Sequence, residues 1–176
     1  MSARAAWRLE SLGFGEVYRY TAGKADWFAN GLPREGRRAA LPRVGELARR
    51  DIPTCGLQDR IGAVRERVRA AGWDVCIVVN DRRIILGRLR QGALAADPES
   101  TAEAVMEEGP TTYRPDEGAE ETARYLTERK VASVLVTTSD GELIGLFRRD
   151  DVERRPPRAE ATGEGGGATA PRQLGR

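Results

Sequence analysis

Two stretches of equal length decide how this chain folds: "VCIVVNDRRIILGRLR", residues 75–90, and "SVLVTTSDGELIGLFR", residues 133–148. Sliding the chain 58 residues along itself sets Val75-Cys76-Ile77-Val78 on Ser133-Val134-Leu135-Val136 and Ile85-Leu86-Gly87 on Leu143-Ile144-Gly145. The same shift puts Arg90 on Arg148 and Thr54 on Thr112 without a gap. Apolar positions coincide in three separate stretches, so the chain contains an internal repeat.

Each unit has the same grammar. Residues 59–71, "DRIGAVRERVRAA", place Ile61, Val64 and Val68 at 3 and 4 spacing behind Asp59, which predicts an amphipathic helix capped by that aspartate. Residues 117–129 are its counterpart. A β-rich run follows each helix, at 75–79 and 133–138, then a polar turn ("NDRR" or "TSDG") and a second run ending at Gly87 or Gly145. A short helix is expected to open near Gln91 in one unit and Arg149 in the other. The fold class is therefore α/β of the α+β kind, with units at 41–97 and 98–153. A unit of about 58 residues buries too little surface to stand alone, so the two should pack on each other.

Composition narrows the chemistry. The 176 residues are 40% hydrophobic and 32% charged with a net charge of +2, and no apolar run approaches the roughly 20 residues of a membrane-spanning helix. No signal peptide opens the sequence, and a cytoplasmic protein with neither a membrane nor a nucleic-acid partner is expected. There is no histidine, which removes Ser/His/Asp and Cys/His nucleophilic sites and the usual zinc sites. "AGKADW", residues 22–27, has Gly-Lys but lacks the earlier glycine and the following Ser/Thr of a phosphate loop. Cys55 and Cys76 read as core residues in structured segments, and no metal site or catalytic residue is assigned. The Pro/Gly/Ala-rich tail, 154–176, is expected to be disordered. Residues 42–97 carry 11 arginines against 7 acids, whereas 98–153 carry 6 basic residues against 14 acids, so the two units are opposite in charge.

The tandem helix–strand–strand–helix repeat, with "PTC" and "PTT" before the first helices and Gly145-Leu146-Phe147-x-x-x-Asp151 closing the second unit, resembles a pair of CBS domains from about Arg43 to Glu153. The resemblance implies two β-α-β-β-α repeats about a pseudo-twofold axis. It also implies a regulatory module that holds an adenosine nucleotide or relative, such as AMP, ADP, ATP or S-adenosylmethionine, between the repeats. The family pattern Gly-hydrophobic-hydrophobic-Thr/Ser-x-x-Asp maps onto Gly145, Arg148 and Asp151, with Asp151 at the position that accepts from ribose hydroxyls and Thr112 near the base. The hydroxyl position is Arg148 here and Arg90 in the first unit, where Ala93 stands in place of the aspartate. Arg148 can pair with phosphate through its planar fork or fill the space and exclude ligand. Asp150 and Asp151 are no catalytic pair, because neighbours on a helix point about 100° apart; negative charge in a first helical turn is their other explanation.

Residues 1–40 predict a helix stopped at Gly13, a strand at "EVYRY" and a second helix through Trp27. Gly13-Phe14, Val17-Tyr18 and the Gly23 to Trp27 segment resemble the C-terminal end of a rhodanese-like domain. In that family the catalytic cysteine loop precedes this helix, which would place it before Met1. Three functions follow as expectations: a ligand-sensing regulatory module, a ligand-free homodimerising interaction module, and a truncated sulfurtransferase fused to a regulatory pair.

Overall fold

The computed structural model describes residues 2–36 and 39–153; the expected disordered tail lies outside them. Helices α1 (Ser2–Ser11), α2 (Gly23–Ala29) and α3 (Val44–Leu47) lead into the repeats. The first repeat holds β1 (Thr54–Cys55), α4 (Ile61–Ala70), β2 (Cys76–Val79), β3 (Ile85–Leu89) and α5 (Gln91–Leu94). A connector with α6 (Ala102–Val105) and β4 (Glu107–Glu108) precedes β5 (Thr112–Tyr113), α7 (Ala119–Glu128), β6 (Ser133–Thr137), β7 (Leu143–Arg148) and a 3-10 turn, Arg149–Asp151. The second strand of each hairpin runs past the expected glycine stop, to Leu89 and Arg148, because Gly87 and Gly145 pair with Val78 and Val136 inside the ladder.

Two small sheets form, ordered β1-β2-β3-β4 and β5-β6-β7. In each, the first strand lies parallel to the second across an intervening helix, and the second pairs antiparallel with the third. Both hairpins carry an irregularity at equivalent steps 58 residues apart, Val78/Val79 and Val136/Thr137. The helices bury the apolar face that the sequence spacing predicts: Ile61, Val64 and Val68 on α4, and Ala119, Thr122 and Leu126 on α7.

The segment before each repeat crosses to the other one. Arg49 and Leu146 exchange backbone hydrogen bonds of 2.8 and 3.0 Å, which adds residue 49 to the edge of the second sheet. The equivalent pair, Arg88 and Glu107, joins β4 to the first sheet. Val44 and Ala48 accordingly sit in the core of the second repeat, and Ala102 in that of the first. At the axis itself Ile84 bridges Glu142, its own equivalent. Leu135, Leu143 and Leu146 share one apolar cluster with Ile77, Val78 and Leu89, so the two sheets have a common core.

This crossing also corrects the expected cap. Helix α4 begins at Ile61 rather than Asp59, and Arg60 at its N-cap makes no side-chain cap hydrogen bond. The N–H groups of Ile61 and Gly62 donate instead to the carbonyls of Ser100 and Pro98, each at 3.0 Å. The carbonyls of the connector satisfy the first-turn donors that a capping side chain would otherwise take. Asp59 turns to Arg67, 3.3 Å away.

The amino-terminal segment differs from expectation too. Glu16 to Tyr20 forms no strand among the described residues, because no strand edge lies beside it to supply the ladder. The segment is held locally by an edge-to-face contact of Tyr20 with Trp27, centroids 5.2 Å apart, and by the Trp27 indole donating to the Pro33 carbonyl at 2.9 Å. Phe28 docks it onto α3 under the guanidiniums of Arg34 and Arg43, 5.2 and 5.5 Å from its ring centre.

The crossings fix two glycines. A Cβ on Gly145 would lie 2.5 Å from the Arg49 carbonyl oxygen, and one on Gly87 would lie 2.6 Å from Met106 Sδ and 3.0 Å from the Glu107 carbonyl oxygen. Backbone cannot yield where a methionine end can. Gly145→Ala is therefore expected to destabilise the chain by about 1–3 kcal/mol in urea unfolding, and by more than Gly87→Ala. Equal effects, or no loss at Gly145, would show that the crossing is looser than described.

Candidate functional site

The crossed repeats leave a cleft of about 580 Å³ on the axis. Its walls are equivalent residues of the two units: Val75 and Ser133, Ile77 and Leu135, Arg90 and Arg148, Gln91 and Arg149. Five basic side chains line it, Arg88, Arg90, Lys130, Arg148 and Arg149, against the acidic Asp74 and Asp150. The floor is apolar sheet and the rim basic, so the field inside favours an anion.

The expected site residues fall in different places. Arg148 ends β7 inside the cleft; its Nη2 lies 3.5 Å from Asp74 Oδ1, and its guanidinium stacks over the Trp73 ring at 5.1 Å. Asp151 stands in the 3-10 turn, where its Oδ2 accepts a hydrogen bond of 3.0 Å from the Arg148 backbone N–H. Its carboxylate therefore fixes the start of that turn, directly behind the Arg148 side chain. Gly145 admits the backbone of Arg49. Thr112 pairs with Leu135 in the first strand of the second sheet and is exposed. Of the four, only Arg148 is in the cleft lining; Arg148 and Asp151 are joined directly, and Gly145 and Thr112 act on the strands around them. Asp150 lines the cleft beside Arg149, 3.3 Å from its Nε.

Trp73, Arg49, Glu107 and Lys130 were not singled out by sequence. Trp73 is buried, with two guanidiniums over its ring, Arg49 at 4.7 Å and Arg148 at 5.1 Å from the centroid. Arg49 reaches it only because the connector crosses between repeats. At the position equivalent to Arg49, Glu107 receives Arg88 Nε and Nη2 at 2.7 and 2.6 Å and approaches Arg90 Nε at 3.7 Å. The Arg88 hydrogen bonds, aided by both positive charges, hold the Glu107 carboxyl below the usual carboxylate range. Cys55 and Cys76 lie in the core, 3% and 0% exposed, and the Cys76 thiol is pushed far up by its contact with Cys55 and by burial.

Lys130 had a signal in the repeat. It follows α7 with φ +55°, in the left-handed region, where the equivalent residue after α4 is Gly72 with φ +68°. A helix end of this shape prefers glycine, and a lysine there stores strain at the rim of the cleft.

The model of the family described as CBS domain matches residues 102–157, which takes in the second repeat. No curated protein matches the chain. Among solved structures, the cytosolic domain of the Mg2+ channel MgtE in complex with ATP is similar at 23% identity and a TM-score of 0.58. That match covers 64% of this chain and 48% of the domain, so the likeness takes in about half of it. The CBS domains of a transcriptional regulator from Streptococcus pneumoniae match at 18% identity and a TM-score of 0.58, over 64% of this chain and 98% of that one. CBSX2 in complex with AMP matches at 21% identity and a TM-score of 0.57, over 64% and 94%. These likenesses concern the fold. With the match to the second repeat, they support a tandem CBS module of mixed α/β architecture. Among the described residues, no helix is long and apolar enough to cross a membrane.

Replacing Lys130 with glycine relieves the left-handed strain. Lys130→Gly is expected to raise stability by up to about 1 kcal/mol in urea unfolding while removing a positive charge from the cleft. A destabilised variant would show that the lysine is not strained.

Proposed function

We propose that this chain is a regulatory module that senses a small anionic ligand, an adenosine nucleotide or a close relative, in the cleft between its repeats. The observation that carries it is the lining: five basic residues against two acidic ones around an axial cleft whose walls come from both units. A ligand bridging the two walls binds only the packed state and so shifts the balance between packings. The complexes of the MgtE domain with ATP and of CBSX2 with AMP support the choice of an adenosine nucleotide. Arg148 is the phosphate partner in this reading. Asp151 positions it from behind, Gly145 seats its strand, and Thr112 belongs to the surrounding sheet. S-adenosylmethionine, with its cationic sulfonium, suits this cleft less well than AMP, ADP or ATP.

A second reading has one observation in its favour. Arg88 and Arg90 are engaged by Glu107, and Arg148 by Trp73 and Asp74, as in a brace that needs no ligand. In that case the chain is an interaction module, a homodimer in the absence of ligand. For residues 1–40 the rhodanese-like likeness remains a proposal resting on Gly13-Phe14, Val17-Tyr18 and the Gly23 to Trp27 segment. Cys55 and Cys76, both buried, do not offer the exposed thiolate that sulfur transfer needs.

Thermal unfolding separates the first two readings. A ligand present at about 100 times its dissociation constant adds roughly 2.7 kcal/mol of stability. AMP, ADP or ATP is expected to raise the midpoint, with a smaller rise in Asp151→Ala, whose Arg148 is less well held. No shift with any nucleotide, together with a stable dimer in sedimentation, would favour the brace.

A further inference from the structure

We propose that the two halves of the cleft are not equivalent: the half around Arg148, with Arg149 and Lys130, takes one phosphate-type anion per chain, and the half around Arg90 is closed by Glu107. This rests on the reading of the cleft as a ligand site, and it adds which half holds the phosphate and how many ligands a chain takes.

The repeat supplies the internal comparison. A shift of 58 residues exchanges Arg90 with Arg148, Arg49 with Glu107, and Trp73 with Val131. In the first half a single carboxylate holds two guanidiniums, one of them through both of its oxygens. A phosphate arriving at Arg90 finds Arg88 already held in a bidentate pair and must sit beside the Glu107 carboxylate, 3.7 Å from Arg90 Nε, whose like charge opposes it.

The second half is inverted in sign at the same position. Where Glu107 would stand there is Arg49, turned onto Trp73. Arg148 is held on the ring by a cation–π contact and by Asp74, whose side chain is 83% exposed and 3.5 Å away. Such a contact is weak and screened. A dianionic phosphate competes with it on favourable terms, because it offers more charge and a matching pair of oxygens to the guanidinium fork. Lys130 adds a charge where the first repeat has Gly72, Arg149 stands where it has Gln91, and Ser133 offers a hydroxyl where it has Val75. These three differences favour an anion in the same half, against the one opposing difference, Asp150 beside Arg149 at 3.3 Å where the first repeat has Gly92.

Transfer of Arg148 from Asp74 and the indole to a phosphate removes a cation–π contact from Trp73. The tryptophan is then an intrinsic reporter of occupancy, and Arg49, also over its ring, belongs to the connector from the amino-terminal helices.

The test uses the full chain carrying Trp7→Phe and Trp27→Phe, which leaves Trp73 as its one tryptophan. AMP and inorganic pyrophosphate are titrated by Trp73 emission and by calorimetry. One AMP per chain with a change in emission is expected. Arg148→Gln should weaken binding about tenfold or more, as loss of a bidentate charge-assisted pair does, while Arg90→Gln changes it less than about threefold. Asp74→Asn, which leaves Arg148 and its strand intact, should tighten binding, and Glu107→Gln should open a second, weaker site. Two AMP per chain in the parent protein, or equal losses at Arg90 and Arg148, would overturn the inequality of the halves and leave nucleotide sensing standing. Pyrophosphate binding through Arg148 with no AMP binding would overturn nucleotide sensing and leave the anion site. Binding of neither at millimolar concentration would overturn both.

Discussion

The whole arrangement hangs on the exchange of backbone between repeats at Gly145 and Gly87. At each, an incoming connector lies close against the third strand of the other repeat, and at Gly145 its backbone leaves no room for a side chain. The hydrogen bonds between Arg49 and Leu146 add the first connector to the second sheet, while β4 adds the second connector to the first. Each repeat thus takes part of its core and part of its helix capping from the other. Two units that would be marginal alone become one structure, and the axial cleft is what remains between their crossed walls.

That crossing also explains why the cleft is uneven. The connectors bring Arg49 to one half and Glu107 to the other, and these two residues set opposite fields around the equivalent arginines 148 and 90. The sheets are built alike because the apolar residues repeat; the halves differ because the polar residues on the connectors do not. In the proposed reading, a symmetric scaffold carrying unlike charges holds one ligand in one orientation, and a ligand touching both repeats biases how they pack.

Much of the fold was legible because it rests on local period. The runs at 76–79 and 133–137 are short, β-rich and buried almost throughout, and the 3 and 4 spacing of Ile61, Val64 and Val68 describes the buried face that α4 presents. The exchange of Val44–Leu47 into the second core was not legible, since a helix of four residues has no period and its partners lie far along the chain. Asp59 looked like a cap because nothing local says that connector carbonyls will reach the helix first. "EVYRY" alternates like a strand but lacks a neighbour to pair with. In the cleft, Arg148 and Arg90 stood out as departures from a pattern, and Lys130 was visible as the counterpart of Gly72. The clasp on Trp73 needed the fold, because Arg49 comes from a connector and Arg148 from a strand nearly 100 residues later.

Native-state hydrogen exchange tests the crossing most directly. The amides of Arg49 and Leu146 donate to each other's carbonyls, so both should open only when the sheets unfold together, with the same free energy as the amides of β2 and β6. Exchange of Arg49 at the rate of an exposed loop, or separate opening of the two sheets, would contradict a single unit built by exchanged connectors.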